Sequence, residues 1–316
     1  MKIVLLEPLG IADDKLSSLS GQIEAQGHEF TAYSQLSTDT EELKRRSRDA
    51  DVLIIANHLL PGEVIRSDAA LKMISVAFVG IDHVDVEACK EKNVAIYNTG
   101  GYCNDAVAEL AIGLTIDCLR NISRGNAAVQ AREGKAGLKG HELAGRTVGI
   151  IGTGAIGCRT AEIFKCFGCR LIGFSRSRRQ DAVDLGIEYM PLAEVMGQAD
   201  IISVHTPLTP ETRGLIGAEE IGLMKQGAIL INTSRGPVVN TAALADALKS
   251  GKICAGTDVF ESDPPLPEGH PLLGVPNLIC TPHVGFDTFE SIDRRAEMVF
   301  ENIELWQQGL TTRKML

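Results

Sequence analysis

The sequence predicts an α/β protein made of two doubly wound parallel-sheet domains. Short apolar runs with strand composition alternate with helical patterns along nearly the whole chain, which is typical of βαβ units. The alternation comes in two sets, and we interpret the polar segment 124–141, which has little strand character, as a connector between them. A length of 316 residues with 44% hydrophobic content is enough for two separate cores.

The first set occupies about one hundred residues and predicts one compact domain. Its expected strands are MKIVLLE, HEFTAYS, DVLIIAN, LKMISVA and VAIYN. Helices are expected between them, for example over 14–26, where Gly27 would end the helix, and over 85–91. A longer, mostly apolar helix over 104–120 leads into the connector.

The second set predicts another parallel sheet. Its six expected strands are RTVGIIG, CRLIGFS, DIISVH, GAILINTS, KICAGTDVF and NLICTPH. A last helix over 290–307 contains the only tryptophan, Trp306, and we expect this helix to pack back on the first domain.

Composition excludes some classes of partner. The net charge of −10 and the pI near 5.3 would repel nucleic acid and anionic membranes. No apolar stretch approaches membrane-spanning length, and the apolar run at the N-terminus is too short for a signal peptide. We therefore expect a cytoplasmic protein without a nucleic-acid or membrane partner.

The eight cysteines do not predict disulfides or a metal site. Cys166 and Cys169 form a C-x-x-C, which is compatible with a redox pair or half of a zinc site. No second pair has metal-ligand spacing, so we interpret them as packing residues at a helix end, with Gly168 as the helix stop.

A glycine loop marks the first functional segment. Gly152, Gly154 and Gly157 match G-x-G-x-x-G, with Ala155 and Ile156 between the last two glycines. A strand over 147–151 precedes the loop and a helix over 158–167 follows it, which is the context of a dinucleotide-binding turn. The first glycine allows the turn, the second admits a pyrophosphate and the third lets the helix approach the strand. Helix N-terminal amides would then hold the phosphate.

The residues after the next strand favour NADP(H). An NAD-preferring site usually has an acidic residue there for the ribose hydroxyls, but this chain has Ser175. Arg176, Arg178 and Arg179 follow and could pair with a 2′-phosphate. NAD remains possible, and a solvated arginine loop without a cofactor role is the alternative.

Candidate catalytic residues lie where the later strands end, because ligands of such sheets bind at the carboxyl ends of strands. Hydride transfer from a nicotinamide to a carbonyl group needs a cation that polarises the carbonyl oxygen and an acid that protonates the forming alkoxide. Arg235, the segment 258–263 and His283 stand at these places. His205 also ends a strand, and position alone does not separate it from His283.

From about Lys72 to Phe300 the chain resembles the D-isomer-specific 2-hydroxyacid dehydrogenase family, which includes phosphoglycerate, D-lactate and hydroxypyruvate/glyoxylate enzymes. The resemblance is carried, in order, by NTGGYCNDAVAELAIGL, the glycine loop, SVHTPLTPETRGLI, INTSRGPVVN, GTDVFESDPP and TPHVG. It implies a Rossmann dinucleotide-binding domain over residues 101–284, inserted into a flavodoxin-like substrate domain over 1–100 and 285–316. The active site is expected between them.

The resemblance also implies residue roles. Arg235 is expected to bind substrate, and His283 to act as acid and base. The family has a Glu before a proline as the third member, whereas this chain has Asp263 before Pro264. We expect the shorter side chain to reach His283 less directly, or through water, with Glu261 as a fallback partner.

Cofactor contacts are implied in the same way. Asp258 is expected to contact the nicotinamide amide. Thr206, Pro207 and Thr212 lie in the segment that lines the adenosine side. Thr233 and Gly285 are expected to provide contacts near the nicotinamide.

The substrate loop departs from the family pattern. It usually reads Gly-Val-Gly and here reads Phe78-Val79-Gly80, so Phe78 either narrows the pocket or simply packs. Phosphoglycerate enzymes carry arginines after the third strand, but this chain has Asn57 and His58 there. We also expect no regulatory extension after the last helix. Small uncharged substrates such as glyoxylate, hydroxypyruvate or pyruvate therefore fit better.

The expected function is hydride transfer between NADP(H) or NAD(H) and a small 2-hydroxy or 2-keto acid, closest in pattern to NADP-dependent glyoxylate/hydroxypyruvate reductases. The alternatives are a dinucleotide-sensing, corepressor-like binding protein and, among enzymes, D-3-phosphoglycerate dehydrogenase. A formate-type dehydrogenase is disfavoured because those enzymes carry Gln where Asp263 stands. The resemblance suggests a homodimer joined through the cofactor domains.

Overall fold

The computed structural model describes residues 1–316 and contains twelve strands. The strands are β1 (Lys2–Leu5), β2 (Glu29–Ala32), β3 (Val52–Ile55), β4 (Met73–Val76), β5 (Ala95–Tyr97), β6 (Thr147–Ile151), β7 (Arg170–Phe174), β8 (Glu188–Tyr189), β9 (Ile201–Val204), β10 (Ala228–Asn232), β11 (Ile253–Thr257) and β12 (Leu278–Cys280).

Twelve α-helices connect or follow the strands. They are α1 (Asp13–Ala25), α2 (Thr40–Ser47), α3 (Gly62–Ser67), α4 (Val86–Lys92), α5 (Asn104–Arg120), α6 (Ile122–Gln130), α7 (Ala155–Cys166), α8 (Gln180–Asp184), α9 (Leu192–Gln198), α10 (Ala218–Leu223), α11 (Thr241–Lys249) and α12 (Phe289–Gln307). None of these helices is long and apolar enough to cross a membrane.

The chain divides into two compact units. Unit 1 comprises Met1–Cys103 and Asp287–Leu316, and unit 2 comprises Asn104–Phe286. The boundaries lie a few residues from the positions 100 and 284 expected from the sequence.

Unit 1 contains a five-stranded parallel sheet in the order β2-β1-β3-β4-β5, which is the flavodoxin-like order. All residues of β3 and β4 are buried, as expected for central strands of a parallel sheet. The last helix, α12, packs on this sheet through Ala296, Val299 and Phe300. Ser75 Oγ of β4 donates to the Val299 carbonyl at 2.9 Å. The expected return of the C-terminal helix is confirmed.

Unit 2 contains a seven-stranded parallel sheet in the order β12-β11-β10-β9-β6-β7-β8. Numbered within the unit, this is the Rossmann order 3-2-1-4-5-6, extended by one strand beside the sixth. The prediction of two parallel-sheet domains, one Rossmann and one flavodoxin-like, is therefore confirmed. The sequence predicted six strands rather than seven, because β8 has two residues and too little alternation to be recognised.

Two segments differ from the sequence-based expectation. The proposed connector 124–141 begins within α6, a helix none of whose residues is buried, so it carries no core-facing apolar stripe. Helix α7 begins at Ala155, within the glycine motif and directly after Gly154, rather than at residue 158.

The cysteines form no disulfide. Cys166 is exposed, contrary to the packing role expected for it, whereas Cys169 is buried. Gly168, with a φ of +78°, stands just after α7 in the left-handed conformation that glycine tolerates.

Candidate active site

The glycine loop has the geometry of a pyrophosphate-binding turn. Gly152 has a φ of +95°, and a Cβ there would lie 2.8 Å from the His205 backbone carbonyl. A Cβ at Gly157 would overlap the carbonyl oxygen of Gly152. At Gly154, the residue before α7, a Cβ would meet nothing within 4 Å. The loop therefore packs tightly at its first and third glycines and is open at the second, where a phosphate would approach.

Two threonines that follow the neighbouring strands β9 and β10 have buried hydroxyls without a partner. Thr206 follows β9 and Thr233 follows β10, and neither Oγ1 makes a hydrogen bond within the protein. A buried hydroxyl left unpaired costs free energy, so these atoms indicate a ligand or water as the missing partner. Together with the open Gly154, they fit a bound dinucleotide. Thr212 instead holds its own turn, since its Oγ1 donates to the Pro207 carbonyl at 2.6 Å.

His205 packs against the glycine loop, and its surroundings differ from those of His283. Its Nε2 is hydrogen-bonded to Ser203 Oγ at 2.8 Å, and its Nδ1 is buried without a partner. Burial lowers the pKa of His205 to about 4, so the ring is neutral near pH 7. A neutral imidazole without a carboxylate partner is poorly suited to donate a proton, which separates the two histidines that sequence position left equal.

The arginine loop follows β7. Ser175 is half-buried, and Arg176, Arg178 and Arg179 are exposed. Arg179 is paired through Nη2 with Asp181 at 2.6 Å, and the Arg178 guanidinium lies 5.7 Å from the centre of the Tyr189 ring. Of the three guanidinium groups, those of Arg176 and Arg178 thus lack a carboxylate hydrogen-bond partner. The pKa of the Glu211 carboxyl is lowered, mainly by a hydrogen bond with the Thr209 side chain. The charge of Arg176 contributes a smaller part of this lowering, so Arg176 lies close to Glu211.

Arg235 is presented by a turn after β10. The Asn232 side chain donates from Nδ2 to the Arg235 carbonyl at 3.1 Å, and its Oδ1 accepts from Ser234. A Cβ at Gly236 would overlap the backbone of Phe260, so the absence of a side chain there lets the turn pack against the segment after β11. Arg235 itself is half-buried, with Nη1 donating to the Ser234 carbonyl at 2.9 Å.

His283 is paired directly with Asp263. The distance from His283 Nδ1 to Asp263 Oδ1 is 2.7 Å, so the expectation that the shorter acid would reach the ring less directly was wrong. Glu261 is not a fallback partner, because its carboxylate binds the Thr241 hydroxyl and His270 Nε2. The His283 side chain is 19% exposed and therefore still accessible.

The backbone around His283 is held by Asp258. This carboxylate is 1% exposed and accepts hydrogen bonds from Thr281 Oγ1 at 2.6 Å, Val284 N at 2.9 Å and Gly285 N at 2.8 Å. His283 has a φ of +59°, an uncommon conformation for a residue with a side chain. These three hydrogen bonds could not be predicted from the sequence, because the donors lie more than twenty positions from Asp258.

The register of the sheet brings these loops to one edge. Asn232 pairs with Thr257, and Thr257 with Cys280, so β10, β11 and β12 end side by side. Arg235 lies three positions after the last residue of β10, and His283 lies three positions after the last residue of β12. Since neighbouring strands are about 4.8 Å apart, the arginine turn and the histidine loop emerge roughly 10 Å from one another.

The expected substrate loop belongs to unit 1. Phe78 is buried and its ring lies 6.4 Å from that of Tyr102, which fits the packing alternative. Val79 and Gly80 are half-buried, and their N–H groups donate to no acceptor in the protein. After β3, the ring of His58 donates from Nδ1 to the buried carboxylate of Glu7, which also accepts from Ala56 N at 2.7 Å. Sequence analysis missed Glu7, which lies beyond the end of β1 and belongs to no recognisable motif.

The Rossmann sheet and its open glycine loop define the class first: a dinucleotide-binding protein with an imidazole–carboxylate pair at the ligand-binding edge, as in nicotinamide-dependent oxidoreductases. The profile described as D-isomer specific 2-hydroxyacid dehydrogenase, NAD binding domain, matches residues 112–285.

Two relatives and one solved structure illustrate the similarity. Hydroxypyruvate reductase of Thermotoga maritima is 38% identical over 271 residues, which cover 84% of this chain and 87% of that protein. D-3-phosphoglycerate dehydrogenase of Methanocaldococcus jannaschii is 37% identical over 314 residues, 98% of this chain, which spans 58% of the length of that relative. The solved structure of an acyclic imino acid reductase (Bsp5) in complex with NADPH and D-Arg has a TM-score of 0.90 and 26% identity, with 100% of both chains covered.

This chain belongs to the D-isomer specific 2-hydroxyacid dehydrogenase family. It is an oxidoreductase that acts on the CH–OH group of a 2-hydroxy acid with a nicotinamide dinucleotide as hydride carrier. The alternative of a corepressor-like binding protein is not favoured, since the relatives are enzymes.

Proposed function

We propose that the protein reduces small, uncharged 2-keto acids of the glyoxylate, hydroxypyruvate and pyruvate class, with NADPH preferred over NADH. The observation that carries the proposal is the His283–Asp263 pair, which stands at the same sheet edge as Arg235. When the dinucleotide is bound with its pyrophosphate at the glycine loop, its nicotinamide would supply or accept the hydride.

The chain's own residues have distinct roles in this proposal. Arg235 binds the substrate carboxylate and polarises the carbonyl. His283 protonates the forming alkoxide from Nε2, since its Nδ1–H is directed to Asp263. Asp263 orients the ring and stabilises its charged form. By family resemblance, Val79 and Gly80 of unit 1 are assigned to substrate binding.

We assign unit 2 as the dinucleotide-binding domain and unit 1 as the substrate domain. The cofactor residues in this assignment share the carboxyl edge of the unit 2 sheet. They are Gly152, Gly154, Ala155, Ile156, Gly157, Ser175, Arg176, Thr206, Pro207, Thr212, Thr233, Asp258 and Gly285. For Asp258, the contact with the nicotinamide amide would add to its role in holding the histidine loop.

The preference for an uncharged substrate is supported by the polar pair after β3. His58 is bound to the buried carboxylate of Glu7, so a charged imidazole there would be offset by the Glu7 charge. A phosphate would find no excess positive charge at this position. Glyoxylate and hydroxypyruvate carry no phosphate and therefore need no positive charge at this position.

The preference for NADPH is supported by the arginine loop. Ser175 places no carboxylate where it would repel a 2′-phosphate, and the guanidinium groups of Arg176 and Arg178 have no carboxylate hydrogen-bond partner. A partly exposed pair of this kind gives roughly tenfold to hundredfold discrimination.

Association into a homodimer through unit 2 is supported by α6. None of its residues is buried, while Ile122 and Val129, seven positions apart and thus on one face, are 55% and 70% exposed. A nine-residue helix is marginal in water unless something packs on it. Analytical ultracentrifugation should show a dimer that Ile122→Lys with Val129→Glu converts to a monomer, whereas Val183→Glu should remain dimeric. A monomeric wild type would contradict the assignment.

The central experiment is a panel of 2-keto acids assayed with both reduced cofactors. Glyoxylate, hydroxypyruvate and pyruvate should be reduced, with kcat/KM for NADPH at least about tenfold above that for NADH. A phosphorylated hydroxypyruvate should be a poorer substrate than hydroxypyruvate itself. A preference for the phosphorylated compound, or equal use of NADH, would overturn the corresponding part of the proposal.

A further inference from the structure

Discrimination between NADPH and NADH requires two loops at a fixed distance. The glycine loop after β6 would hold the pyrophosphate, and the arginine loop after β7 would hold the 2′-phosphate. The loops follow different strands, and the arginine loop is exposed over residues 176–180. A side-chain contact between the two loops, added to the pairing of β6 with β7, would help to keep the two anion sites in register.

Tyr189 makes such a contact. It lies on β8, the edge strand paired with β7, opposite Gly173. Its hydroxyl is 2.6 Å from Thr153 Oγ1, in the middle of the glycine loop, and accepts from the backbone N–H of Arg179 at 3.3 Å. The same ring lies beneath the guanidinium of Arg178. One side chain thus touches both loops.

Thr153, which contacts the Tyr189 hydroxyl from the glycine loop, is held in place by its surroundings. Thr153 is 0% exposed and lies between Gly152 and Gly154, so its hydroxyl has little freedom to find another partner. Its methyl group packs towards Gly173, where a Cβ would lie 3.6 Å from Thr153 Cγ2. Motion of Tyr189 would leave a buried hydroxyl unpaired, which favours the linked arrangement.

We propose that Tyr189 is a positioning residue that fixes the arginine loop relative to the glycine loop and thereby favours a ribose carrying a 2′-phosphate. This inference rests on the proposed NADPH preference. The hydroxyl bonds hold the loops together, and the ring keeps the Arg178 guanidinium over the sheet edge, where it offers its donors to the phosphate.

The test measures Kd by calorimetry for NADPH, NADH and the fragment 2′,5′-ADP in the full chain. Tyr189→Phe removes only the hydroxyl and should weaken NADPH and 2′,5′-ADP about fivefold to tenfold, with NADH changed less than about twofold. Thr153→Val should have the same effect, and Thr153→Ser, which keeps a hydroxyl, should retain the wild-type preference. The double variant Tyr189→Phe with Thr153→Val should lose little more than either single variant, because both remove one contact.

Tyr97→Phe is the matched control. The Tyr97 hydroxyl donates to the Leu310 carbonyl at 2.6 Å in unit 1, so its loss should leave both Kd values unchanged. If Tyr189→Phe and Thr153→Val bind both cofactors with the wild-type ratio, the inference is wrong while the NADPH preference stands. If wild type already binds NADH as tightly as NADPH, the preference itself fails, and the inference fails with it.

Discussion

Asp263 Oδ1 accepts a hydrogen bond from His283 Nδ1 at 2.7 Å, although Asp263 is one methylene shorter than the Glu of the family pattern. Because a carboxylate can only accept, this bond places a proton on Nδ1 and leaves Nε2 to exchange a proton with substrate. The pair thus orients the imidazole as the proposed mechanism requires.

Replacement of His283 by alanine should lower kcat for keto-acid reduction by about two to four orders of magnitude, because proton transfer to the alkoxide is lost. The Kd for NADPH should change little, because the His283 ring follows β12 and is not part of the glycine loop that would hold the pyrophosphate. His141→Ala, at an exposed histidine of unit 2, is the control and should have wild-type kinetics. Near-normal turnover of His283→Ala would refute the assignment.

Asp263→Asn should lower kcat by about tenfold to a hundredfold, because a neutral amide stabilises a charged imidazole less than a carboxylate does. Asp263→Glu should stay within about threefold of wild type, since the Asp263 side chain is 66% exposed and has room for another methylene. Steady-state kinetics at neutral pH would measure both, and equal losses in the two variants would show that shape rather than charge matters.

Gly154→Ala and Gly157→Ala should fail in different ways. A methyl group at Gly154 meets no atom within 4 Å, so the melting temperature should stay near wild type while Kd for NADPH and NADH rises about tenfold or more. At Gly157 the methyl group would overlap the Gly152 carbonyl, so the variant should melt earlier or not fold. Calorimetry and thermal melting separate the outcomes, and tight cofactor binding by Gly154→Ala would exclude a pyrophosphate there.

Arg176→Ala should weaken NADPH binding about tenfold or more and leave NADH nearly unchanged, because only the 2′-phosphate loses a partner. Arg170→Ala removes the same charge at the opposite end of β7, where Arg170 pairs with Glu188, and should affect neither cofactor. Fluorescence titration of both cofactors provides the comparison. Equal losses for NADPH and NADH in Arg176→Ala would count against a 2′-phosphate site.

The buried His205 should make stability depend on pH. Its folded-state pKa of about 4 lies below the ordinary value of 6.5, so below pH 6.5 the unfolded chain binds a proton that the folded protein does not. The associated stability is fully present above pH 6.5 and falls by on the order of 2–3 kcal/mol as the pH approaches 4. Urea unfolding should show a shallower decline for His205→Gln than for wild type, with His141→Gln as the control. Parallel pH profiles for His205→Gln and wild type would contradict this role.

Much of the fold could be predicted from the sequence, because strand patterns and glycine requirements are local. The five strands of unit 1 and the turn from Gly152 to Gly157 are each encoded by adjacent residues. Strand β8 and helix α6 escaped prediction for the same reason: one is too short for alternation, and the other buries no face.

The sequence by itself determined the chemical groups after each strand, and the family resemblance proposed roles for Arg235, His283 and Asp263. Only the tertiary structure decided that Asp263 rather than Glu261 binds His283, that Asp258 holds the histidine loop and that Tyr189 joins two loops. These hydrogen bonds connect loops that follow different strands. Whether they form depends on differences of a few tenths of an ångström in atom positions, which sheet register and packing set. No local residue pattern contains that information.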